Sequence, residues 1–264
     1  MTELYNTFLY EPIFNALIYL YHILPGSDMG IAIIVLTVFI KVLLFWPSLS
    51  SLKAQKNLQE TQPKVEEIRE KYKDDKEELG RQLMAFYKNN KVNPFASCLP
   101  LLIQLPILLA LYRAFFQGLG VDPETHLLAA DQIQHLYGYL ANIYTTMPID
   151  TQMFGFLDLS ATHNIVLAVL AGIAAFIQGK TMQSKRTEVK SEGAKDENTA
   201  AAISKQMTYF LPIITIVFGY QFPAGVTLYW LVSTLFSLGQ QLYFFRVKKD
   251  WNKDDAKDQP KAID

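Results

Sequence analysis

The chain has 264 residues, half of them hydrophobic, with a mean hydropathy of +0.12 and a formal net charge of -1. That balance points to no charged partner, and a single cysteine, Cys98, excludes an intramolecular disulfide framework or a cysteine-cluster zinc site. The four histidines, His22, His126, His135 and His163, lack metal-ligand spacing, and HExxH, GxSxG and P-loop patterns are absent. Nothing in the sequence points to an enzyme, and no cofactor or metal is expected.

The apolar residues are gathered into long blocks, the first over residues 4–24. A further span, a signal peptide and a helix on the outer surface are the three readings. A signal peptide needs a basic n-region and a small-residue cleavage site, and neither is present. Charge parity does not separate the other two, but Glu11 and Pro12 in mid-segment, with Asn6, Asn15 and His22, favour an outer-surface amphipathic helix over residues 1–28.

A bilayer core takes about 20 mainly apolar residues per helix. Residues 29–46 fit the first span, broken only by Lys41, with Pro47 marking the helix exit and the segment closing at 51. Residues 52–97 read as a cytoplasmic helical hairpin. Pro63 suits a first helical turn, Val65, Ile68 and Tyr72 recur at helical spacing, and 73–76 read as the turn. Leu79, Leu83 and Phe86 make a second stripe ending near Asn89 and Asn90. The hairpin is either a plain connection or a docking arm for a partner.

The second span covers 98–117 and carries Pro100, Gln104, Pro106 and Arg113. Arg113 reads as a snorkelling cation at the outer interface, and Cys98 as packing. An extracytoplasmic segment, 118–160, leads to the third span, 161–179, whose uninterrupted apolar core is only 165–177. A loop over 180–206 precedes the fourth and fifth spans, 207–222 and 225–245, and 246–264 form the tail. The fold class is all-α, a polytopic membrane protein with about five transmembrane helices and a cytoplasmic hairpin.

The charges fix which side is which. Of 24 basic residues, ten lie in the first loop: Lys53, Lys56, Lys64, Arg69, Lys71, Lys73, Lys76, Arg81, Lys88 and Lys91. Six lie between the third and fourth spans and six in the tail, whereas 1–40 and 117–160 have none. This is the alternation expected of the positive-inside bias, and it puts the basic loops and the C-terminus in the cytoplasm.

Lys41 and Arg113 are the basic residues left inside spans. A lysine at the centre of a span costs about 2.5–3.5 kcal/mol on insertion scales, and less where its stem lets the ammonium reach the interface. By itself Lys41 is either a snorkelling lysine or a cation facing a wet cavity. On the fifth span, Thr227, Ser233, Thr234, Ser237, Gln240 and Gln241 fall on the side of Trp230 at 100° per residue. Such a stripe either joins helices or lines water. Together with Lys41 and Gln178, it makes a water-accessible groove the better joint account.

Four blocks in this order, GIAIIVLTVFIKVLLFWP (30–47), KVNPFASCLPLLIQLPILLALYRAFF (91–116), FGFLDLS (154–160) and FPAGVTLYWLVS (222–233), closely resemble the core of the YidC family of membrane protein insertases. The resemblance implies a bacterial inner or plasma membrane protein that inserts newly made membrane proteins into the bilayer and helps them fold. It would do so through a hydrophilic groove, alone or with the Sec translocon. The implied groove residues are Lys41, Gln178 and Trp230, joined by Ser233, Thr234, Ser237 and Gln241 of the stripe. Implied partners are nascent membrane proteins and lipid, with the ribosome, the Sec translocon and signal recognition particle components as further ones, and no direct binding to DNA. The chain departs from the family in having lysine where arginine is usual, which keeps the charge but loses the planar fork. Its tail is short and mixes Lys with Asp, and no large extracytoplasmic domain or lipoprotein-type cysteine is seen. The alternative, a small-solute transporter or channel, is disfavoured because no internal repeat is found and five spans do not halve.

Overall fold

The computed structural model describes residues 2–90, 99–115, 125–182 and 197–255. Cys98 lies outside the described residues, as do parts of the second-span region, the 118–160 segment, the 180–206 loop and the tail. The described chain is mostly helical, in keeping with the all-α expectation. One small addition was not foreseen. Strands β1 (Gln152–Met153) and β2 (Leu157–Asp158) pair antiparallel around a tight turn.

The N-terminal stretch is a run of helix: α1 (Thr2–Tyr5), a π segment (Asn6–Tyr10) and α2 (Glu11–Ile23). Pro12 sits in the first turn of α2, directly after the π segment. Tyr10, Phe14, Leu17, Ile18 and Tyr21 form its buried face, packed into the main core. Its polar residues bond to the 125–160 region. The Tyr10 hydroxyl donates to Gln132 Oε1 at 2.6 Å, and Asn15 Nδ2 donates to the His135 carbonyl at 2.8 Å. The Tyr21 hydroxyl accepts from the Asp150 N–H at 2.9 Å. Glu11 and Asn15, which interrupt the apolar pattern, are therefore tertiary contacts: Glu11 Oε1 also lies 3.0 Å from His135 Nδ1.

Asp28 caps α3 (Met29–Leu43) by accepting from the Ile31 N–H at 2.9 Å. The helix stops where Pro47 dictates. Proline has no N–H for the Leu43 carbonyl, and its ring crowds that carbonyl. The chain bends by 65° and restarts as α4 (Phe45–Lys71). Here the expectation for the hairpin needs correction. Pro63 does not open a helix but lies inside α4, which runs unbroken from the bend. The break that Pro63 suggested is absorbed within one 27-residue helix. The return arm α5 (Lys76–Asn89) is capped by Asp75, whose carboxylate accepts from the N–H groups of Glu77 and Glu78.

The remaining helices are α6 (Leu99–Arg113), the short α7 (Ala130–Ile133) and α8 (Gly138–Tyr144), then α9 (Ile165–Met182), α10 (Glu197–Gln221) and α11 (Ala224–Asp255). Helix α9 packs on both α10 and α11, and α11 packs on α3. The α9–α10 contact is close because α9 offers Ala168, Ala171, Gly172 and Ala175, all buried. A Cβ on Gly172 would run into the Ile216 side chain.

Among the described residues, no single helix is long and apolar enough to cross a membrane by itself. The bent pair Met29–Leu43 and Phe45–Leu58 meets that test together by length and composition, and Ile165–Thr181 and Tyr209–Gln221 are shorter apolar helices. Physically, the bend divides the first apolar block, and polar side chains dilute α11.

Candidate functional site

On α3, Ala32, Ile33, Leu36 and Thr37 face the core, whereas Val35, Val38, Phe39 and Val42 are exposed. Lys41 lies at the border of these two faces, one turn beyond Thr37, and is partly buried. Its ammonium turns inward. Nζ donates to Gln104 Oε1 of α6 at 3.3 Å and to Ser237 Oγ of α11 at 3.2 Å. Each acceptor is fixed in turn: the Gln104 amide donates to the Tyr229 hydroxyl, and the Ser237 hydroxyl donates to the Ser233 carbonyl at 2.9 Å. Among the described residues, no carboxylate pairs with Lys41. Among those residues the charge is held by neutral dipoles, which leave its field uncancelled.

Ser237 also belongs to a cavity of about 230 Å³. Its walls are Ser48, Leu52 and Gln55 of α4, Ala175, Gln178 and Gly179 of α9, Leu211 of α10, and Ser237, Gln240 and Gln241 of α11. The polar walls are cross-tied between helices. The Ser48 hydroxyl donates to Gln240 Oε1 at 2.8 Å, while Gln240 Nε2 donates to the Phe45 carbonyl at 3.2 Å, just past the bend. The Thr181 hydroxyl lies 2.8 Å from Gln241 Oε1, linking α9 to α11. Most of the exposed lining is apolar, and the serine and glutamine side chains supply the partners for water in a space of this size.

The groove residues expected from the sequence divide into two groups. Gln178, Ser237 and Gln241 line the cavity, and Lys41 joins it through Ser237. Ser233 and Thr234 are buried at 4% and 6% exposure, away from the cavity walls. Trp230 is half-buried and also lies off the walls, two helical turns before Ser237. Gln104, Ser48 and Gln55 were not foreseen. A lone glutamine in an apolar helix gives no direction, and only the packing of α6 on α11 brings Gln104 to Lys41. Gln240, in contrast, was already part of the polar stripe.

Arg113 does not reach out freely as a snorkelling side chain would. Its guanidinium donates to Asn6 Oδ1 and lies 4.5 Å from the Tyr10 ring centroid, a cation–π contact with the N-terminal helix.

Comparison of the sequence with known proteins identifies a family. Residues 19–252 match the family described as 60Kd inner membrane protein. A protein of Syntrophobacter fumaroxidans named membrane protein insertase YidC is 34% identical over 242 residues, covering 91% of this chain and 38% of the relative. The protein of that name from Syntrophus aciditrophicus is 36% identical over 235 residues, which is 88% of this chain and 35% of the relative. The chain thus spans under two fifths of the length of these two relatives. A shorter one, from Fusobacterium nucleatum, is 32% identical over 220 residues and is covered to 87% by a match over 83% of this chain. With a match that runs from α2 deep into α11, and a relative of similar size matched over most of its length, the chain belongs to the 60Kd inner membrane protein family.

Proposed function

We propose that the chain inserts newly made membrane proteins into the lipid bilayer and helps them fold. Its setting is a bacterial inner or plasma membrane, crossed about five times, with the basic loops and the C-terminus in the cytoplasm. The observation that carries the reading is Lys41, a cation within an apolar helix, held by Gln104 and Ser237 and joined through Ser237 to a cavity edged by serine and glutamine side chains. The names of the relatives, membrane protein insertase YidC, support the same activity.

The physical task is to move a client's polar end past hydrocarbon, where each unpaired polar group is costly. A groove wetted partway through the bilayer shortens the apolar distance. Lys41 attracts acidic residues of the client's leading segment, and Gln178, Ser237 and Gln241 offer hydrogen bonds that replace water, with Ser233 and Thr234 buried behind them. Trp230 sits farther along the same face and meets the client's apolar part. The client's own helix then moves into lipid, and its burial drives the step, so no nucleotide is required. Newly made membrane proteins are the partners. The ribosome, the Sec translocon and signal recognition particle components are proposed as further partners on the cytoplasmic side, the side of α4 and α5.

The test is insertion of a short single-span client into vesicles of purified lipid with and without the chain, read by protease protection. Protection that rises with the amount of chain, without nucleotide, supports the proposal. Equal protection in empty vesicles, for every client tried, refutes it.

A further inference from the structure

The FGFLDLS block has no part in the groove. Its first three residues form the turn between β1 and β2. The Phe156 N–H donates to the Met153 carbonyl at 3.3 Å, and both central residues have positive φ, Phe154 at 54° and Gly155 at 73°. That is the pattern of a type I′ hairpin turn, for which asparagine and glycine are the relaxed residues. A phenylalanine there is an outlier that the surrounding contacts must hold. Those contacts keep the turn in place but leave its rings uncovered. Phe154 is 62% exposed and Phe156 79%, and the rings stack with centroids 6.4 Å apart.

The turn is fastened to the start of α3. Asp28 accepts from the Ile31 N–H with one carboxylate oxygen, at 2.9 Å, and from the Phe154 N–H with the other, at 2.6 Å. Met153 packs on Gly30, where a Cβ would not fit. The two rings therefore sit level with the point where the apolar run of α3 begins. No lysine or arginine occurs in residues 117–160 or 1–40, so neither segment has a long basic side chain to reach headgroup phosphates. Tryptophan and tyrosine are the usual aromatic anchors at a membrane interface, and a phenylalanine ring, which has no polar tip, serves on the apolar side of that boundary.

We propose that the Phe154 and Phe156 rings sit in the outer leaflet, at the boundary of headgroups and acyl chains, and set the depth at which α3 holds Lys41. This rests on the membrane reading of α3. Lys41 lies thirteen residues after Asp28, about 20 Å along the helix at 1.5 Å per residue, so a shift of the turn moves the ammonium by the same amount.

The experiment places one tryptophan at a time in the full-length chain, after Trp46, Trp230 and Trp251 are changed to Phe. The protein is reconstituted in vesicles of phosphatidylcholine and phosphatidylglycerol carrying bromine at a shallow or a deep acyl position. Phe156→Trp and Phe154→Trp are read separately, so a folding failure in one leaves the other. Phe39→Trp, on the exposed face of α3 about 16 Å beyond Asp28, is the reference for the membrane reading. Shallow bromines are expected to remove about half of the emission from the Phe154→Trp and Phe156→Trp proteins, and deep bromines to act best on the Phe39→Trp protein. If the Phe39→Trp protein is quenched by lipid but the other two respond only to aqueous iodide, the anchor is refuted and the membrane reading stands. If none of the three is quenched by lipid, both fall.

Discussion

Replacing Lys41 by glutamate inverts the charge that Gln104 and Ser237 hold at 3.3 and 3.2 Å. A client carboxylate approaching the ammonium stays one hydrogen bond or one water away, about 4–8 Å. At an effective dielectric constant of about 20, the attraction is about 4 kcal/mol at the near end and 2 kcal/mol at the far end. Taking the far value, Lys41→Met keeps the stem, removes about 2 kcal/mol, and slows insertion of an acidic-tailed client about 30-fold. Lys41→Glu turns attraction into repulsion, a swing of about 4 kcal/mol or about a thousandfold, and Lys41→Arg stays near wild type. The assay is the initial rate of protease protection of a client carrying one aspartate in its leading segment, beside the same client with asparagine. The difference between the two clients isolates the charge pair from any packing effect. A working charge pair is refuted if Lys41→Met slows both clients equally, or if it leaves the aspartate client within about threefold of wild type. Hydrophobic sliding would then carry insertion, with Lys41 serving only to hold α3, α6 and α11 together.

Packing and pH give further expectations. Gly172→Leu pushes a side chain into Ile216 and toward the Pro212 carbonyl of α10. Overpacking costs about 1–3 kcal/mol and lowers the thermal midpoint in detergent by several degrees. Gly80→Ala, in open space inside α5, raises stability by about 0.4–1 kcal/mol in the same measurement. Burial works to raise the Asp158 carboxyl, but hydrogen bonds from the Ser160 hydroxyl and N–H, Thr151 and the Ala161 N–H outweigh it and leave it below its ordinary value of 3.8. The folded state is therefore favoured by this group above pH 3.8, and that contribution is lost as pH falls below it through the folded value. The protection of the β1–β2 ribbon against hydrogen exchange, taken relative to the intrinsic exchange rate at each pH, is expected to fall across that acidic window in wild type and to stay flat in Asp158→Asn.

The residues that speak from the sequence alone are those whose meaning depends on chain-local spacing. The sorting of lysines and arginines among the blocks, Pro47 after an apolar run, and the stripe from Thr227 to Gln241 at 100° steps follow from helix geometry and the cost of charge in hydrocarbon. Pro63 misled, because a proline inside a long helix loses one hydrogen bond without ending the helix when flanking turns hold it. The ribbon over 152–158 was invisible, since two residues per strand leave no alternation to detect.

The sequence by itself determined that the chain is helical, that its apolar blocks alternate with basic loops, and that Lys41 lies among apolar neighbours while Ser237 and Gln241 share one helix face. Helical periodicity and charge are local properties, so they can be read along the chain. Only the tertiary structure decided which way Lys41 turns, and it did so by bringing Gln104 from 63 residues away and Ser237 from 196 residues away within hydrogen-bond reach. It also turned Asn6 and Asn15 from interruptions of an apolar stretch into ties to Arg113 and His135. A polar group's direction in an apolar helix is set by the partner that relieves its desolvation, and that partner is chosen by packing.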